Sequence, residues 1–196
     1  MSLTEARHLT TAELEAGLDV IRQSPKDDGV VELIVRRPAV GEREVIREGV
    51  LDITDGLVGD NWRTRGNPRT EDGKSHPDMQ VNIMNVRAVA LVAGDESRWP
   101  LAGDQLFVDL DLSGVNLPPG TRLAIGEALL EVTPPPHTGC LKFVARFGID
   151  AMKFVNSPVG RAHNLRGINA KVVRNGRIRV GDVVSKATAL PTAAST

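Results

Sequence analysis

Apolar residues recur along this chain at two spacings. Near the N-terminus the spacing is helical. Leu14, Leu18 and Ile21 follow a capping box, with Thr10 as N-cap and Glu13 three residues on, and Ser24-Pro25 stops the run. Beyond Pro25 the pattern becomes mainly that of short strands. Runs at 30–37 and 44–53 flank a turn from Pro38 to Gly41, which predicts a hairpin. Residues 80–84 alternate as a strand, 86–93 read as a helix ended by Gly94, and further strands are expected at 105–110, 122–125, 128–133, 170–174, 177–180 and 183–186.

The polar residues between these runs are turn formers. Gly126-Glu127 and Gly181-Asp182 each follow an Arg-led apolar run and precede another strand, which suits a tight turn with glycine at positive φ. Asn175-Gly176 carries the sequence signal of a hairpin turn. Short strands at this spacing predict a mainly β chain folded as a closed or nearly closed β-barrel, with a few short peripheral helices near 11–22, 86–93 and 141–155. The expected division is a helical extension at 1–29, a barrel domain at 30–186 and a small, uncharged, disordered tail at 187–196. Residues 61–78 are almost wholly polar, which predicts a long surface loop of the kind that often carries function.

Composition narrows the function classes. Aromatics make up only 3%, with no Tyr, so the core is expected to be aliphatic and a base-stacking nucleic-acid platform is disfavoured. A single cysteine excludes an intrachain disulfide, a CxxC pair and an iron–sulfur cluster held by this chain alone. Residues 1–8 show no apolar leader and no run is long enough to span a membrane, so a cytoplasmic protein without membrane association is expected. The net charge of −1 hides an asymmetry: residues 1–139 carry −9 and residues 140–196 carry +8. A basic block that begins at the only cysteine predicts an anionic ligand nearby, the alternative being neutralisation of one half by the other across the fold.

The densest chemistry lies around that cysteine. Three prolines, Pro134 to Pro136, force an extended exit from a strand. His137, Thr138 and Gly139 then lead to Cys140, where a short helix with Lys142 and Arg146 is expected to begin. A helix N-terminus and basic neighbours favour thiolate over thiol, although a lone cysteine can equally be a small buried hydrophobe. His137-x-x-Cys140 could also form half of a metal site, with His76 or His163 as a further ligand. Lys142, Arg146, Lys153, Arg161 and Arg166 together suggest a phosphate-bearing cofactor, because guanidinium forks match phosphate. Asp60 opens the long polar loop, followed by Arg63, Arg65 and Arg69.

Taken in order, these segments resemble the MOSC family, the domain found at the C-terminus of molybdenum-cofactor sulfurases and alone in bacterial proteins. The resemblance rests on Gly56-Leu-Val-Gly59-Asp60, on Gln80-Val81 opening a strand, and on the strand pair within 114–133 that includes Asn116. It rests further on Cys140-Leu141-Lys142 and the closing strands at 167–184. Many members place Arg-x-Pro ahead of the cysteine, where this chain has His137-Thr138-Gly139. The resemblance implies a β-barrel in which Cys140 either ligates the metal of a molybdenum cofactor (molybdopterin) or carries sulfur as a persulfide. It also implies cofactor contacts from His137, Lys142, Arg146, Arg166, Asp60 and Asn116. Reductase members act on N-hydroxylated small molecules, and a reductase here would need a separate electron-donor protein. A non-catalytic binding module is the third possibility.

Overall fold

The computed structural model describes residues 7–67 and 70–187; Arg69 and the tail from 188 onward lie outside the described residues. The chain opens with α1 (Thr11–Ala16) and α2 (Leu18–Arg22). The capping box forms as expected, Glu13 N–H donating to Thr10 Oγ1 and Thr10 N–H to Glu13 Oε2. Then come β1 (Gly29–Arg36), β2 (Glu44–Ile46), β3 (Glu48–Asp52), β4 (Gly56–Leu57), α3 (Trp62–Arg65), β5 (Val81–Asn85) and α4 (Val86–Ala93). The second half contains β6 (Leu106–Asp109), β7 (Arg122–Ile125), β8 (Ala128–Val132), α5 (Leu141–Asn156), α6 (Pro158–Ala162), β9 (Ile168–Arg174), β10 (Gly176–Arg179) and β11 (Val183–Lys186). Short 3-10 segments lie at Pro77–Met79 and Glu96–Ala102.

Seven strands close a barrel in the order β1-β11-β7-β8-β9-β5-β6 and back to β1, with β2 appended to the outside of β1. Every barrel pair is antiparallel except β5 with β6, which are parallel. Parallel neighbours need a crossover, and α4 with the Glu96–Ala102 segment supplies it.

Alternation along the strands sorts the core into two compartments. Val81 and Ile83 of β5, Leu106 and Val108 of β6, and Val31 and Ile34 of β1 fill the barrel interior. Met84, Phe107, Leu33 and Val35 from the same strands face outward and meet Leu14, Leu18, Ile21, Val89 and Phe147 beneath the helices. The irregular register between Val31 and Leu33 lets β1 serve both compartments. All four phenylalanines, Phe107, Phe143, Phe147 and Phe154, sit in the helical layer, so only the barrel interior is purely aliphatic.

Two expectations from the sequence are corrected. The run 44–53 breaks at Arg47, so β2 pairs with β1 while β3 starts a separate sheet ordered β10-β3-β4. Asn175-Gly176 is not a hairpin turn, because β10 leaves β9 and pairs with β3. Asn175 Oδ1 accepts the Ile53 N–H at 2.8 Å and its Nδ2 donates to Asp52 Oδ2 at 2.6 Å. A Cβ at residue 176 would strike the backbone of Glu127 and Ala128, so this glycine serves close packing. Among the described residues no helix is long and apolar enough to cross a membrane.

Candidate functional site

One end of the barrel is braced by a buried ion pair. Arg37, just past β1, is held by Asp60, whose carboxylate accepts Arg37 Nε at 2.7 Å, Nη2 at 2.8 Å and the Arg37 backbone N–H at 3.0 Å. The same carboxylate accepts the Trp62 N–H at 2.9 Å. Gly59, at φ 84°, turns the chain where a side chain would collide with Arg36. Arg37 Nη1 goes on to Gly103 O at 2.8 Å and Asn82 Oδ1 at 3.2 Å. Asn82 Nδ2 donates to Asn169 Oδ1 at 2.6 Å, and Asn169 Nδ2 to Pro135 O at 2.9 Å. This chain of bonds fixes the proline loop to the barrel end.

A second buried group lies beside it. Arg166, ahead of β9, donates from Nη1 to Asp104 Oδ2 at 2.6 Å and from Nη2 to Ala102 O at 2.8 Å. Its guanidinium lies 5.1 Å from the Phe143 ring centre. Asp104 Oδ1 faces His137 Nδ1 at 3.3 Å. That contact falls short of a well-aligned hydrogen bond, and both atoms, like Arg166 Nε, are otherwise enclosed without a partner. Burial first, then Arg166 and Arg37, hold His137 well below the usual histidine value. Burial raises Asp104, against the opposing pull of Arg166.

Cys140 is the N-cap residue of α5 and is exposed, which rules out its reading as a small buried hydrophobe. Its loop is clasped from the far end of the same helix: Gly139 N–H donates to Asn156 Oδ1 at 2.9 Å, and Asn156 Nδ2 to Gly139 O at 3.1 Å. A Cβ on Gly139 would crowd Val155, Met152 and Asn156 at 3.1–3.3 Å, so glycine permits this approach. The helix bends at Gly148, with φ 88° and ψ 166°. The carbonyl of Arg146 there bonds His8 Nε2 at 3.2 Å and accepts Arg98 Nη2 at 2.8 Å.

These groups meet in a cleft of about 720 Å³. Arg37, Arg43, Arg65, Lys142, Arg146 and Arg166 line it with Cys140, His137, His76 and Trp62, and no Asp or Glu among the described residues joins them. The field is felt by the cations themselves. Burial and then Arg146 and Arg37 lower Arg43, and burial and then Arg37 lower Arg65. Arg65 and Lys142 make no side-chain hydrogen bond to a described residue. Such a concentration of cations favours a multiply charged anion.

The structure thus brings together Cys140, His137, Lys142, Arg146 and Arg166 from the sequence candidates. Asp60 is near but wholly buried and occupied by Arg37. Asn116 lies apart from the cleft, donating to Lys26 O and Asp111 O and accepting from Lys186 Nζ. Lys153 and Arg161 do not line the cleft either. His76 and His137 share it with Cys140 while His163 does not, and among the described residues no three His, Cys, Asp or Glu side chains gather as a metal-ion site. Sequence reasoning missed Arg37, Arg43, Asp104 and Asn156, whose partners lie far away in the chain.

Comparison with known proteins adds the family. The model described as MOSC domain matches residues 73–185, more than half of the chain. No curated protein sequence matches. Among solved structures the chain is similar to the YUAD protein from Bacillus subtilis, at 15% identity and TM-score 0.61, covering 80% of this chain and 93% of that one. It is also similar to YiiM from Escherichia coli, at 19% identity and TM-score 0.53, covering 82% and 71%. At these identities the likeness is one of fold.

Proposed function

The chain belongs to the MOSC domain family, and from that membership we propose that it binds a molybdenum cofactor in the cationic cleft, with Cys140 as the protein ligand to the metal, and reduces N-hydroxylated small molecules. One observation carries the reading: an exposed thiol and six cations share one cleft that no carboxylate lines among the described residues, and only Arg37 and Arg166 of the six are ion-paired behind it, with Asp60 and Asp104. Thiolate is a soft ligand suited to such a metal. The pterin's phosphate matches the guanidinium forks, and Arg166 Nε is a buried donor without an acceptor. Lys142, Arg146 and Arg166 would hold the anionic end, with Arg43 and Arg65 on the same cleft wall.

When bound, the cofactor supplies the two-electron chemistry. The chain's own residues fix its orientation: the Asn156 clasp sets the Cys140 backbone, and the Arg37–Asp60 pair keeps the cleft floor rigid. With one cysteine and no cluster of its own, the protein would receive electrons from a separate donor protein.

Metal analysis of protein made in a cofactor-competent host tests this. About one molybdenum per chain is expected, with its loss in Cys140→Ser while the circular dichroism stays native. Cyanide-labile sulfur without molybdenum would instead support a sulfur carrier acting through a Cys140 persulfide. Neither signal would leave a binding module.

A further inference from the structure

His137 stands where a cation could hold an anion, yet its surroundings assign it another task. We infer that His137 is a hydrogen-bond acceptor in the cleft, presenting a bare Nε2 to the O–H of a substrate, with Asp104 fixing its tautomer. The inference rests on the proposed reduction of N-hydroxylated compounds for its substrate, and on geometry for the rest.

The ring has two unlike nitrogens. Nδ1 is sealed from solvent and faces Asp104 Oδ1 at 3.3 Å, and it has no other partner. Asp104 is ion-paired with Arg166 at 2.6 Å, so the carboxylate only accepts. Two facing lone pairs would repel, so the proton sits on Nδ1. Nε2 is not among the enclosed atoms, and the ring lines the cleft, so the lone pair is open to a ligand. Contacts of this kind are commonly long in the empty state and tighten when the site fills.

The rest of the wall makes this acceptor valuable. The six lining cations offer donors only. Asn82 Oδ1 and Gly103 O already accept from Arg37. His76 has the opposite arrangement: its Nδ1 accepts the Asp78 N–H at 3.1 Å, which leaves Nε2–H as a donor. Burial first, then Arg166 from the approach to β9 and Arg37 from the end of β1, lower His137 and favour the neutral ring, with Lys142 and Arg146 of α5 on the same cleft and Asp104 facing Nδ1. A neutral ring with Nε2 free selects a ligand that donates there, an N–OH and not its O-alkyl ether.

Nitrogen-15 NMR of the full chain without cofactor reads the tautomer directly, with only four histidines to assign. A neutral Nδ1–H ring at His137 is expected at pH 7. An Nε2–H tautomer or an imidazolium at His137 overturns the inference. In the cofactor-loaded protein, His137→Phe keeps a flat ring and removes the acceptor. It should raise KM for benzohydroxamic acid by about tenfold and leave KM for the O-methyl ether unchanged. An equal effect on both probes would also overturn it. If the wild type reduces neither probe, the reductase reading falls and the tautomer measurement alone decides the role of His137.

Discussion

At the scale of single residues, Asp60 and Asp104 let the barrel end bury two arginines. Truncating Asp60 to Ala would strand Arg37, whose side chain is 5% exposed, and should cost about 3–5 kcal/mol in urea unfolding. His137 gives stability a pH signature. Its folded form is held well below 6.5 by burial, then Arg166 and Arg37, so below about pH 6.5 the unfolded chain takes up a proton that the folded chain refuses. Stability therefore falls as pH drops through that window. Asp104 acts oppositely: burial raises it above 3.8, so as pH falls the folded form binds its proton first and gains stability. Comparing His137→Gln with the wild type at pH 7 and pH 5.5 isolates the histidine. The wild type should lose more stability on acidification, and equal losses would place the proton elsewhere. None of these partnerships was legible beforehand. Asp104 and Arg166 are 62 positions apart, and only the closed barrel makes them neighbours.

Elements whose signals are local were legible, and those set by distant packing were not. Asn85 caps α4 by accepting from Arg87 N–H and Ala88 N–H, and Gly94 ends it at φ 71°, so the helix matches the residues the pattern predicts. The bend in α5 depends on Gly148 and on what lies against it. At φ 88° and ψ 166° the backbone occupies a region that is essentially glycine's own. A Cβ there would also meet His8 Nδ1 at 2.8 Å. Gly148→Ala should cost about 1–3 kcal/mol, and adding His8→Ala should recover only the collision and not the backbone strain. Full recovery in the double variant, measured by thermal unfolding, would show that α5 bends only to accommodate His8. Asn156→Ala tests the other end of the helix. Losing both bonds to Gly139 should cost about 1–3 kcal/mol and make alkylation of Cys140 less uniform.

For the whole molecule, the charge asymmetry between the two halves turns out to do two things. Part of the basic C-terminal block is neutralised across the fold, Arg179 by Glu48 at 2.7 Å and Lys171 by Glu131 at 3.2 Å. Another part, Lys142, Arg146 and Arg166, joins Arg37, Arg43 and Arg65 from the acidic half in one cleft. Barrel closure makes that convergence, which explains why charge counting located only half of the site. Like charges held together without a lining carboxylate oppose folding, and an anion that binds only the folded state relieves them. Sulfate at ten times its dissociation constant should therefore stabilise the protein by about 1.4 kcal/mol, a rise in Tm of roughly 3–6 °C. Chloride at matched ionic strength screens the repulsion without bridging the cations, so its effect should be smaller. Arg65 and Lys142 are the lining cations whose side chains make no hydrogen bond to a described residue, so removing them should abolish much of the sulfate gain while sparing the buried braces. The double variant Arg65→Ala, Lys142→Ala should be at least as stable as the wild type without sulfate and respond to sulfate and chloride alike. An undiminished sulfate response in that variant would mean that the anion binds outside the cleft.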